Sequence, residues 1–269
     1  VGRTTNVPCA VWVTTTSNST MRINLQPSYI LHSRPYRDSS LILEVFSAEH
    51  GRLSVVSKGA RRRSKGGSSA ALLQPFIPLL LSFSGRAEMK TLTSIESAGA
   101  APQLRGERLF SAMYINELLM RLLHRHDPYP RLFASYGSAL WDLGEAQQFE
   151  AILRRFELGL LDELGYSISL EEDGINGEAL CEDRWYHFHP DHGLVEGVRG
   201  ADPARPAYAG IDLLALSRGE FAGEARGTAR RLMRQVLASH LGDAPLKSRE
   251  LFRGRGQRVD REEPQRGRA

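Results

Sequence analysis

The sequence predicts an α+β multidomain protein: a small N-terminal β-barrel followed by a mostly helical region that holds a small irregular hairpin insert. Three observations predict it. Short runs with strand character fill the first hundred residues, the apolar period changes to three and four after Glu107, and net charge changes sign at the same place. The 269 residues suffice for two modest domains with a core each, and 41% hydrophobic with 25% charged residues is the composition of a folded chain rather than a disordered one.

Residues 1–24 are rich in Thr, Ser and Asn, carry little apolar periodicity and read as a disordered leader, not as a secretory signal. Strand-like runs follow at 29–33, 41–47 and 52–57, each bounded by turn chemistry, with His50-Gly51 as a tight connection between the second and third. In the second run Leu41, Leu43 and Val45 alternate with Ile42, Glu44 and Phe46, which gives one apolar and one mixed face. After a basic loop at 59–67 come a Pro-punctuated run at 76–84 and another at 88–95. Five short strands with a long loop before the fourth fit an OB-fold, whose strand face and loops bind single strands, and the region assigned to it is 25–98. The pattern alone also fits an SH3-like barrel.

From Glu107 the residues Leu109, Phe110, Met113, Tyr114, Leu118 and Leu122 recur at helical spacing, and that helix ends before Pro128. Further helices are predicted at 129–143 and 146–164, the latter capped by Gly165, and at 211–216 and 224–241, the latter capped by Gly242. Residues 166–209 lose the helical period, and Trp185, His187 and His189 alternate before Asp191-His192-Gly193, which reads as a hairpin insert. The helical domain thus spans 99–252, and 253–269, rich in Gly and Arg, reads as a disordered basic tail.

Charge follows this division. Residues 1–100 hold twelve Lys/Arg against five Asp/Glu, residues 101–246 fifteen against twenty-two, and residues 247–269 eight against four. Between Gly51 and Ala87 there are seven cations and no acid, so the expected partner is a polyanion. Arg34, Arg37, Lys58, Arg61, Arg62, Arg63, Lys65, Arg86 and Lys90 are the candidate phosphate contacts, and Tyr36 is a candidate for stacking on a base. Phe83 lies near them in sequence, but core burial is its expected role.

No catalytic signature stands beside these cations. The dipeptide Gly-Lys is absent, which excludes a standard phosphate-binding loop of the ATPases, and Gly-x-Ser-x-Gly and His-Glu-x-x-His are missing too. The longest strongly apolar stretch, 76–81, is interrupted by Pro78 and far too short to span a membrane. Cys9 and Cys181 cannot form a disulfide framework. Cys181, His187, His189, Asp191 and His192 are zinc-ligand types without the usual paired spacing, so no metal and no cofactor are expected.

Several short stretches together carry a resemblance. They are Tyr29-Ile-Leu-His-Ser-Arg-Pro-Tyr, Lys58-Gly-Ala-Arg, Leu73-Gln-Pro-Phe-Ile-Pro-Leu, Tyr114-Ile-Asn-Glu-Leu, Arg155-Phe-Glu-Leu, Leu164-Gly-Tyr and Pro245-Leu-Lys-Ser-Arg-Glu-Leu-Phe. In their order and spacing the chain resembles the RecO family over most of its length. The resemblance implies a non-enzymatic, cytoplasmic and nucleoid-associated bacterial mediator of DNA repair and recombination. It implies binding of single- and double-stranded DNA, annealing of complementary strands, and work with RecR to load RecA onto DNA coated by SSB. The four cysteines that hold zinc in one branch of the family are not present here.

Docking of the acidic, hydrophobic-ended SSB C-terminal tail on an acidic helical region requires a local rim of cations, and the candidates are Arg121, Arg125, Arg131, Arg154 and Arg155. On residue pattern alone two other readings stay open: an OB-type RNA-binding factor, and an adaptor that docks proteins through its helices.

Overall fold

The structure, a computed structural model, describes residues 22–61, 71–200, 205–242 and 244–251. Most of the expected leader, the tail from residue 252, and Arg62, Arg63 and Lys65 of the basic loop lie outside the described residues.

Five strands, β1 (Arg22–Tyr36), β2 (Ser40–Ser47), β3 (Gly51–Ser57), β4 (Leu79–Ser84) and β5 (Lys90–Ser97), close into a barrel in the order β1-β2-β3-β5-β4. All pairings are antiparallel except β3 with β5. Closure leaves no open edge, and the order is that of the expected OB-type barrel. Its interior is filled by Ile30, Leu43, Val45, Leu53, Leu79, Leu81 and Phe83.

The first strand is three times longer than the run at 29–33. It can be long because it serves two neighbours: 22–28 pair with β4, and 28–36 pair with β2. Pro27, which cannot donate to a ladder, sits next to the change of partner at Ser28, between register shifts at 23–26 and 30–32. Residues 22–24 are therefore strand and not leader. β4 starts three residues later than expected because Pro75 and Pro78 keep 75–78 out of the ladder.

Helices α1 (Glu107–Leu122), α2 (Pro130–Glu145), α3 (Glu150–Glu163), α4 (Gly210–Ser217) and α5 (Gly223–Leu241) follow. The insert between α3 and α4 is a three-stranded sheet in the order β7-β6-β8, made of β6 (Trp185–His189), β7 (Gly193–Gly197) and β8 (Ala207–Ala209). The expected hairpin is β6-β7. No helix among the described residues is long and apolar enough to cross a membrane.

Barrel and helices share a core. Leu31 and Phe46 point out of the barrel into the cluster that contains Ile115, Leu119 and Tyr136. The Tyr29 ring meets Tyr136 edge-on at 4.9 Å, and Phe46 meets Phe133 edge-on at 5.4 Å. Asn116 bridges this junction: it donates to the Leu31 carbonyl at 2.9 Å and accepts from the Tyr136 hydroxyl at 2.6 Å. Gly51 is needed twice over, since its φ is +61° and a Cβ there would lie 1.8 Å from the Asp127 carbonyl oxygen.

The short stretches that carry the resemblance meet in this framework. Tyr114 donates to Glu157 at 2.5 Å, linking α1 to α3. The Glu117 carboxylate accepts from the backbone N–H groups of Lys247 and Ser248 at 2.9 and 2.8 Å and from the Ser248 hydroxyl at 2.6 Å, which pins the last described segment to α1. Three separated stretches of sequence are thus tied to α1 by buried or half-buried hydrogen bonds.

Candidate nucleic-acid interface

The described cations outside the strands of the barrel lie in the β1-β2 turn, at the start of the β3-β4 connection and in the β4-β5 turn. Arg37 is in the first of them, where its φ of +51° turns the chain at once after β1. Its guanidinium lies over the Tyr36 ring, 5.1 Å from the centroid. Lys58 immediately follows β3 and is exposed, and the Arg61 N–H donates to the Ser39 carbonyl at 2.9 Å. That backbone bond holds the start of the β3-β4 connection against the β1-β2 turn.

A cavity of about 350 Å³ opens where they meet, lined by Tyr36, Arg37, Ser39, Ser40, Val56, Lys58 and Gly59. It joins two cations, two hydroxyls and an aromatic face, the groups that grip a phosphate and stack on a base. Residues 39, 40 and 59 were not singled out in the sequence. Their signal was faint: small polar or Gly positions flanking a predicted strand.

Arg34, Arg86 and Lys90 do not line this cavity. Arg34 is exposed on β1, and Arg86 is exposed in the β4-β5 turn. Lys90 opens β5 beside Val55 of β3 and donates to the Gly85 carbonyl at 3.1 Å, so it also braces the β4-β5 turn. In OB-folds the turns after the first and fourth strands flank the strand face that holds the nucleic acid. Phe83 is fully buried in the barrel, as expected of a core residue.

The five helical arginines do not converge. Arg121 donates to the carbonyls of Ala244, at 2.6 Å, and Leu241, and so clamps the end of α5. Arg125 pairs with buried Glu44 of the barrel at 3.2 Å, where Ser54 also donates to Glu44 at 2.6 Å. Arg52 completes that junction by donating to the Leu123 carbonyl at 3.1 Å. Arg154 pairs with buried Glu157 at 2.8 Å. Arg131 stays exposed, 4.0 Å from Glu163. Arg155 lines a groove of about 330 Å³ between α2 and α3, with Ala139, Ile152 and Phe156 as apolar walls and Asp142 at the edge.

In the insert, both His187 ring nitrogens face carbonyl oxygens, of Pro206 at 3.1 Å and Val198 at 3.2 Å. The rings of His189 and His192 lie 4.8 Å apart, and Cys181 is a half-buried free thiol. Among the described residues no three His, Cys, Asp or Glu side chains are placed to hold a metal ion.

Two family profiles match, Recombination protein O N terminal over residues 21–101 and Recombination protein O C terminal over residues 103–250. The chain belongs to the RecO family. It is 46% identical over 233 residues to the DNA repair protein RecO of Methylococcus capsulatus, covering 86% of this chain and 94% of that one. It is 47% identical to the protein of that name from Nitrosococcus oceani, with the same coverage, and 46% identical to that from Pseudomonas putida, covering 86% and 97%. The boundary between the two RecO profiles falls between β5 and α1, so each covers one of the two structural layers described above.

Proposed function

We propose that the protein is a DNA-binding mediator of repair and recombination, without catalysis of its own, in which the barrel holds a single strand at the cavity beside Arg37 and Lys58. The convergence of two cations, two serines and Tyr36 at that cavity, in a member of a family whose relatives are named for DNA repair, carries the reading. Cations on phosphates release counterions and reduce repulsion between strands, so bases of two held strands meet more often and anneal. Double-stranded DNA is held through the same phosphate contacts. RecR is the partner for loading RecA onto SSB-coated DNA, and the activity is that of a cytoplasmic, nucleoid-associated protein.

The salt dependence of single-strand binding tests this. Arg37→Ala with Lys58→Ala removes two phosphate contacts and should make the slope of log K against log salt shallower by about 1.4, at roughly 0.7 per contact. An unchanged slope and affinity would remove the cavity from the binding site.

The SSB tail docks in the α2-α3 groove, where Ile152 and Phe156 offer an apolar floor and Arg155 a cation for the terminal carboxylate. Arg155→Glu should weaken binding of a tail peptide at least about tenfold, as loss of roughly 1.4 kcal/mol or more would. Arg131→Glu should weaken it less, because Arg131 does not line the groove. Equal affinity of wild type and Arg155→Glu in a titration would place the tail elsewhere.

A further inference from the structure

The helical region is acidic as a whole, with fifteen cations against twenty-two acids over residues 101–246, yet α5 contains four arginines and a single acid, Glu224. Its apolar face, with Ala225, Ala229, Leu232, Met233, Val236 and Leu237, is buried against the other helices. The arginines Arg226, Arg230, Arg231 and Arg234 are all exposed. Arg226, Arg230 and Arg234 recur every fourth residue, so they form one stripe with about 6 Å of axial rise between neighbours.

Intramolecular pairing accounts for only part of this charge. Arg226 lies 3.5 Å from Glu150, and Arg231 donates to the Thr228 hydroxyl at 3.1 Å. Arg230 and Arg234 have no hydrogen bond or ion pair among the described residues. Arginines that merely solvate a helix are ordinarily interspersed with acids, and the surrounding sequence has acids in excess. A row of cations concentrated against that background favours a partner with evenly spaced negative charge.

We infer that the α5 stripe is a second contact for a single-stranded DNA backbone, separate from the barrel site. The inference rests on the proposed function and deepens it, because two strands held by one molecule meet far more often than two free strands. Helix α1 packs on both β1 and α5, so the two basic surfaces belong to one joined framework. Barrel cations grip one strand and α5 cations the other, and neither strand needs to leave its site before the bases pair.

Oligothymidylate, which cannot pair with itself, separates strand binding from annealing. The full chain is titrated with labelled oligothymidylate, and wild type should show a tight site and a weaker, salt-dependent second site. Arg230→Gln with Arg234→Gln should weaken the second site at least about fivefold while leaving the first within about twofold, because two phosphate contacts are lost only from the second. Annealing of complementary labelled strands should slow in parallel, and Arg230→Lys with Arg234→Lys should restore both, since a phosphate accepts either cation. Overlaid melting curves of the variants establish that they fold. Retention of the second site and of annealing in the Gln variant would overturn the stripe and leave the barrel reading intact, as would a wild type that binds one strand only. Absence of any tight site in wild type would overturn both.

Discussion

Glu157 is a carboxylate enclosed on all sides, and two side chains keep it there. Tyr114 donates to one oxygen at 2.5 Å, and Arg154 pairs with the other at 2.8 Å. Burial raises its pKa above the ordinary carboxyl value, and Arg154, the Tyr114 hydrogen bond and Arg249 act against that rise. Removing a partner leaves a buried acceptor unpaired. Tyr114→Phe should cost about 1–3 kcal/mol, and Arg154→Ala about 3–5 kcal/mol because it strands the charge itself. Thermal denaturation would check this ranking, and a Tyr114→Phe protein as stable as wild type would mean that Glu157 does not depend on the hydroxyl. Arg154 illustrates a limit of reading residues from sequence. It was a candidate for a peptide-binding rim, as were Arg121 and Arg125, and the sequence shows each as a cation on or just after a helix. It does not show that Ala244 and Glu44 arrive from 123 and 81 positions away to accept from Arg121 and Arg125. Arg37, Lys58, Arg61 and Arg86 of the barrel are exposed, because the residues next to a short strand leave a Lys or Arg few places to go but outward.

At the scale of elements, the insert shows how a loop-rich segment is closed by one carboxylate. Asp173 accepts from the backbone N–H groups of Ile175 at 2.9 Å, Asn176 at 3.3 Å and Glu196 at 2.6 Å, which ties the loop after α3 to β7. Burial alone would raise its pKa, and these three donors outweigh burial and hold the carboxyl below the ordinary value. A depressed folded pKa means stabilisation that is present above the unfolded value, about 3.9, and lost as pH falls through the folded one. Asp173→Asn should therefore cost about 1.5–3 kcal/mol at pH 7, and the gap to wild type should narrow as pH falls below about 4. Melting temperatures of the two proteins across that range decide it, and a gap that widens in acid would refute the assignment. The hairpin β6-β7 was legible from the alternation of Trp185, His187 and His189, whereas β8, three residues long, was too short to show a period. The long first strand was hidden for a different reason. Prolines at 27 and 35 argue against a strand locally; the change of partner next to Pro27 makes room for the first, and the second lies where β1 pairs with β2 alone.

At the scale of the whole molecule, the barrel and the helices behave as one body rather than as a binding head on a separable stalk. Leu31 and Phe46 of the barrel are buried in the helical core, Asn116 takes its hydrogen bond from Tyr136 and gives one to the Leu31 carbonyl, and Arg125 neutralises Glu44. An isolated barrel would expose those apolar faces and leave Glu44 without its nearest cation, so cutting the chain near Gly99 should yield a protein that fails to fold stably. The full chain should unfold in one transition. Trp141 and Trp185 both report on the helical region, while hydrogen exchange of amides in β2 and β3 reports on the barrel. With Trp12 replaced by Phe to keep the fluorescence local, both probes should give the same denaturant midpoint, as a shared core requires. Phe46→Ala, at the shared face, should lower both midpoints together by the equivalent of about 3–5 kcal/mol. A barrel that loses protection while the tryptophan signal stays native would show that the junction does not couple the layers, and the two proposed strand sites would then have no common frame to hold them in register.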